Sequence, residues 1–162
     1  MLNHATSHDE QDYTAAIHIS ASPSEVLADL TTLANLSAWW ATASGDPEEG
    51  GDLEFDFNAG SPLRLLVAAA GPALVQWNVL AYEPVPDWAG TTITFELSER
   101  PDGTCDLSFR HRGLTPTLAC FTDCKSGWDH FLPSLKNLAE TGTGNPQGSA
   151  EDMARRAVRT DN

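Results

Sequence analysis

His111 is the residue best placed by type and phase to do chemistry. In the stretch TCDLSFRH it shares the inward phase with Cys105, Leu107 and Phe109, and Gly113 ends the segment two residues later. A neutral imidazole in an apolar cavity can hydrogen-bond a ligand or exchange a proton near neutral pH. The same position suits a core histidine satisfied by a backbone carbonyl, the commoner fate of a buried polar group. Catalysis needs a companion group in fixed geometry. The chain has no Gly-x-Ser-x-Gly elbow, no His-Glu-x-x-His pair and no phosphate-cradling loop, so no catalytic residue is assigned.

The thiols and carboxylates read as structural. Cys120 and Cys124 lie one helical turn apart on the face of Trp128, but zinc needs two more ligands at suitable spacing. Cys105 and His111 are only loosely placed for that, so the cysteines are expected to be free and packed as small apolar groups. The acids Asp46, Glu48, Glu49, Asp52, Glu54 and Asp56 do not match a calcium loop and form a solvated rim. No metal site and no cofactor are expected. Arg64 is out of phase with Leu63, Leu65 and Val67 and should face solvent.

The aromatics are the other candidates. Phe55, Phe57, Trp77, Phe95 and Phe109 all take inward strand phases, either as plain core or as the wall of a cavity. Trp39 and Trp40 are adjacent, and neighbours on a regular helix point about 100° apart. The two rings should therefore face different ways.

The elements that hold these residues follow from periodicity. YTAAIHIS alternates as a strand with Tyr13, Ala15, Ile17 and Ile19 on one face. Ser22, Pro23 and Glu25 make a capping box and open a helix over 23–30, and Thr32 caps a second short helix. SGDPEEGGD is a loop. Five strand readings follow with short turns, an antiparallel meander ending at His111. Thr115-Pro116 opens a long helix whose stripe is Phe121, Cys124, Trp128, Phe131, Leu132, Leu135 and Leu138, and Gly142 caps it. Gly127 interrupts this helix, which suits a close approach to a strand.

A net charge of −14 argues against nucleic acid and anionic membranes as partners. No apolar run spans a bilayer, and MLNHATSHDEQD lacks the pattern of a signal peptide, so the expected location is cytoplasmic.

The segments IHISASPSEV, LTTLANLSAWW, FRHRGL and SGWDHFLPSL, in this order, resemble the START-related, birch-pollen-allergen-like superfamily, SRPBCC. Within it they are similar to homologues of the 90-kDa heat-shock protein ATPase activator. The resemblance implies an α+β helix-grip fold: a curved antiparallel sheet of about six strands wrapped around a long C-terminal helix, with two short helices after strand 1. Residues 1–11 would be disordered, 12–142 the domain and 143–162 a flexible polar tail. It implies a cavity between sheet and helix, with Trp39, Trp40 and Trp128 close together, one tryptophan of the doublet closing the core and the other lining the cavity. The expected ligand-binding set is Trp39, Trp40, Phe55, Phe57, Trp77, Phe95, Phe109, His111 and Trp128. The expected function is binding of a small hydrophobic or aromatic molecule. A polyketide cyclase/aromatase-type enzyme and a co-chaperone-like interaction module are the alternatives, and a homodimer or chaperone contact stays open.

Overall fold

Alternating apolar residues build one sheet in the computed structural model, which describes residues 11–161. The N-terminal segment expected to be disordered lies, up to residue 10, outside the described residues. Seven strands run β1 (Tyr13–Ile19), β2 (Thr42–Gly45), β3 (Asp52–Asp56), β4 (Leu63–Ala70), β5 (Leu74–Ala81), β6 (Thr92–Glu99) and β7 (Cys105–Arg112). Their spatial order is β1-β7-β6-β5-β4-β3-β2, antiparallel throughout. Helices α1 (Pro23–Thr31) and α2 (Leu33–Trp39) follow β1, and α3 (Phe121–Thr141) follows β7. The curved sheet holds α3 as a helix-grip fold.

Register carries the inward residues into line. Phe95 sits opposite Phe109, and Ile93 opposite His111, across β6 and β7. The alternation puts Leu53, Phe55, Leu65, Val67, Trp77, Phe95 and Phe109 in the core, where Trp128, Leu132 and Leu135 of α3 meet them. The α1 capping box forms as expected: Glu25 N–H donates to Ser22 Oγ at 3.2 Å and Ser22 N–H to Glu25 Oε1 at 2.9 Å. Gly142 ends α3 at φ 87°, a conformation that favours glycine. Gly113 ends β7 at φ +96°, and a Cβ there would stand 2.8 Å from Thr91 Cγ2.

Several expectations are corrected. The loop after α2 begins with strand β2, a short edge strand whose residues TASG carry no apolar alternation. Thr32 caps nothing with its side chain, because its hydroxyl donates back to Ala28 O at 3.0 Å. The long helix starts at Phe121 rather than at Pro116. Before it, Leu118 N–H donates to Thr115 O and Phe121 N–H to Leu118 O, isolated turns rather than helix.

The segment expected to be a flexible polar tail, in which EDMARRAVR could be transiently helical, carries a helix, α4 (Ala150–Asp161). Its charges are used internally. Asp152 is buried and accepts from Gly148 N–H at 2.9 Å, Arg155 at 2.6 Å and Arg156 at 3.5 Å. Gln147 N–H donates to Trp40 O at 2.7 Å, and Asn145 N–H to Ser134 Oγ at 2.6 Å. Polar composition concealed this docking, since backbone and ion-pair partners leave no apolar stripe to read.

Candidate functional site

The Trp39–Trp40 doublet does not splay. The rings stack at 5.7 Å with an interplanar angle of 10°. The reason is local: α2 ends at Trp39, and Trp40 takes φ −117°, ψ −86°, so the helical 100° step does not apply to it. Trp39 closes the core under the helix pair, with Nε1 donating to Asp29 O at 2.9 Å and its ring against Phe95. Trp40 is the hub, in ring contact with Phe55 at 4.4 Å, Trp128 at 5.0 Å, Phe57 at 5.5 Å and Trp77 at 5.8 Å.

Beside this hub lies a cavity of ≈ 180 Å³. Trp40, Phe57, Tyr82, Val85 and Trp88 form one wall, and Asp123, Cys124, Gly127, Trp128 and Phe131 of α3 form the other. Of the expected ligand set, Trp40, Phe57 and Trp128 come together here. Trp39, Phe55, Trp77, Phe95 and Phe109 are buried core that does not line the cavity. Sequence reading missed Tyr82, Val85 and Trp88, which come from the Pro-broken loop YEPVPDWAG and its 3-10 turn at Pro86–Trp88. The available signal was a tryptophan and a tyrosine bracketing a loop otherwise made of turn residues.

Gly127 has a different role from the one expected. A Cβ at this position meets nothing within 4 Å. The glycine does not bring α3 against a strand; it leaves open space on the cavity wall.

His111 is fully buried, and both ring nitrogens are occupied by the protein. Trp128 Nε1–H donates to Nδ1 at 3.0 Å. An indole N–H is only a donor, so the neutral imidazole carries its proton on Nε2 and donates to Thr91 Oγ1, 2.9 Å away. The Thr91 hydroxyl in turn donates to Trp88 O at 2.6 Å. Burial pushes the imidazole pKa down to about 3, partly opposed by the Asp12 charge. The expectation that His111 meets a ligand at the cavity mouth is therefore corrected. It stands behind the wall and holds Trp88 and Trp128, two of the rings that form it.

Two titratable groups of the lining, Cys124 and Tyr82, are held in their neutral forms. Trp88 Nε1–H donates to Cys124 Sγ at 3.1 Å. Burial, then the hydrogen bond with Cys120, pushes the Cys124 thiol up to about 12. Burial likewise raises the Tyr82 phenol. Cys105, Cys120 and Cys124 are free thiols, and no group of three potential metal ligands occurs among the described residues.

With this geometry in view, the relatives are informative. The family described as "Activator of Hsp90 ATPase homolog 1-like protein" matches residues 20–140. The chain belongs to that family. It is a member of the SRPBCC superfamily, and its fold is the one the resemblance implied. The solution structure of the Aha1 dimer from Colwellia psychrerythraea is similar at 31% identity and TM-score 0.71, covering 82% of this chain and 98% of that one. MLL2253 from Mesorhizobium loti is similar at 26% identity and TM-score 0.63, with 78% and 96% covered. CalU16 from Micromonospora echinospora shares the fold at 20% identity and TM-score 0.67, with 93% and 84% covered. No curated protein matches the sequence. The family match spans α1 to the end of α3, so the cavity lies within it and α4 outside it. Among the described residues no helix is long and apolar enough to cross a membrane.

Proposed function

We propose that the protein binds a small apolar or aromatic molecule in the cavity between the sheet and α3. The observation that carries this is Gly127. A glycine in a helix interior costs about 1 kcal/mol relative to alanine, and here the missing side chain relieves no clash and leaves cavity space. The volume sets the ligand's size. At ≈ 180 Å³ it is close to the ~150 Å³ apolar cavity that holds benzene, and below the roughly 300–1,000 Å³ of sites for larger ligands. That favours one ring or a short branched group over the folded chain of a cyclase substrate. A protonated thiol and phenol favour binding over covalent chemistry. Native mass spectrometry of the purified protein, followed by displacement of the dye ANS with a small aromatic, tests the reading. Absence of both a retained ligand and dye binding in the folded protein would reject it.

A second reading has its own support. The Aha1 structure that is 31% identical is a dimer, and the family takes its description from activation of the Hsp90 ATPase. A self-association or chaperone contact is tested by sedimentation of the pure protein and by Hsp90 ATPase assays with it added.

A further inference from the structure

The C-terminal segment ties the two walls of the cavity together. On the sheet side, Trp40 O accepts from Gln147 N–H at 2.7 Å. On the α3 side, the Arg155 guanidinium stands 5.6 Å from the Phe131 centroid. Trp40 and Phe131 belong to opposite walls, so residues 147–155 pass from one wall to the other. Burial, then Cys124, raises the Tyr82 pKa and the Arg156 charge opposes them, which sets that guanidinium near the sheet-side wall. From Ala150 to Arg156 the helix advances about 9 Å at 1.5 Å per residue, enough to cross the mouth of a cavity of ≈ 180 Å³.

The attachments of this segment fall into a fixed set and a releasable one. Before α4, Asn145 N–H donates to Ser134 Oγ at 2.6 Å, His130 Nε2–H donates to Asn145 O at 2.9 Å, and Gln147 holds Trp40. Gly148 follows at φ +87°, a left-handed joint between the anchored stretch and the helix. Beyond the joint, Asp152 and Arg155 are the two residues of 150–157 that are not exposed, and Met153 is 53% exposed. The Asp152 partners, Gly148, Arg155 and Arg156, all belong to the same segment, so these bonds travel with the helix. The link back to α3 is Arg155, which donates to Ser126 Oγ at 3.1 Å and covers Phe131. Its Nε is buried with no acceptor among the described residues. An element that buries so little apolar surface belongs to the part of a fold that opens locally, ahead of the core.

We propose that α4 is a lid over the cavity, turning about Gly148 and latched by Arg155 on Ser126 and Phe131, so that the latch governs entry and exit of the ligand. This rests on the ligand-binding function proposed above and assigns its regulation. The lid lies beyond residues 20–140, the span of the family match.

The test reads the cover without needing a ligand. Cys124 stands on the cavity wall and Cys105 is fully buried in β7, so their labelling by methyl methanethiosulfonate separates lid opening from global unfolding. Rates are read by mass spectrometry on the full chain. Ser126→Ala breaks the latch and leaves the Asp152–Arg155 pair intact, whereas Arg155→Gln removes both. Each should speed Cys124 labelling about threefold to tenfold and leave Cys105 unchanged. In the same variants the association and dissociation rates of p-cresol, from NMR line shapes, should rise together, with Kd constant within about twofold, as a gate requires. Unchanged Cys124 labelling in both variants overturns the lid, and so does a parallel rise at Cys105. A rise in Arg155→Gln alone traces to loss of the helix through Asp152 and overturns the latch. Absence of p-cresol binding by the folded wild type counts against the ligand site, and the labelling then decides the lid by itself.

Discussion

Trp128 Nε1 and His111 Nδ1 lie 3.0 Å apart, a buried bond between the long helix and the last strand. It explains why a polar residue occupies an inward strand position. Trp128→Phe keeps an aromatic ring and deletes the donor, leaving His111 Nδ1 unsatisfied, at a cost of about 1–3 kcal/mol. Trp128→Ala should cost about 3–5 kcal/mol. In a double-mutant cycle by urea denaturation, Trp128→Phe and His111→Gln should be strongly non-additive. Additive losses would mean that the bond contributes nothing.

The same histidine gives a signed pH dependence. Folding lowers its pKa from the ordinary 6.5 to about 3, so the unfolded chain binds more protons between these values. This contribution is complete above about pH 6.5 and is lost as pH falls toward 3, at up to about 1.4 kcal/mol per unit. Comparing urea midpoints of wild type and His111→Gln from pH 7.5 to 4 isolates it. An identical slope in both proteins would contradict the assignment.

Asp29 acts with the opposite sign. Burial, then Asn35 in the lowering direction and Glu25 in the raising one, leaves its pKa raised to about 6. Its Oδ2 has no partner. The folded state therefore keeps its proton longer, and stability falls as pH rises from about 4 through 6. Asp29→Asn should abolish that slope and raise stability at pH 8 by part of the roughly 1–3 kcal/mol cost of an unsatisfied buried group. Thermal melts at pH 5 and 8 check it, and a loss at pH 8 would contradict it.

Helix α4 should be integral to stability. Burial opposes the Asp152 charge, but Gly148 N–H, Arg155 and Arg156 outweigh it and hold the carboxyl below its ordinary range. That contribution is present above about pH 4 and is lost as pH falls through the native pKa. Asp152→Ala removes the buried carboxylate that accepts from Gly148 N–H, Arg155 and Arg156 and should cost about 2–4 kcal/mol. Hydrogen exchange across residues 144–157 should rise in this variant. Unchanged protection would show that the helix is held by something else.

The strands were legible because one buried face forces period-two alternation, as with Leu53 and Phe55 or Phe95 and Leu97. The α3 stripe was legible for the equivalent reason at helical period. Strand β2 was not, since an exposed edge strand of TASG buries little and leaves no pattern. The cavity was half legible. Trp40, Phe57 and Trp128 could be named from their elements, whereas Tyr82 and Trp88 reach it through a loop whose path no periodicity encodes. Polarity marked His111, but its partners Thr91 and Trp128 are 20 and 17 residues away, a pairing fixed only by the fold.

Ligand binding beside α3 is best tested by filling the space next to Gly127. Gly127→Ala should raise stability by about 1 kcal/mol, because the added Cβ meets nothing within 4 Å. Gly127→Leu should keep the fold and occupy the cavity. Wild type and Gly127→Leu are titrated with p-cresol by saturation-transfer NMR. Saturable binding to wild type is expected, with at least a tenfold loss in the leucine variant at an unchanged or higher melting temperature. Equal binding by both folded proteins would contradict a ligand site in this cavity.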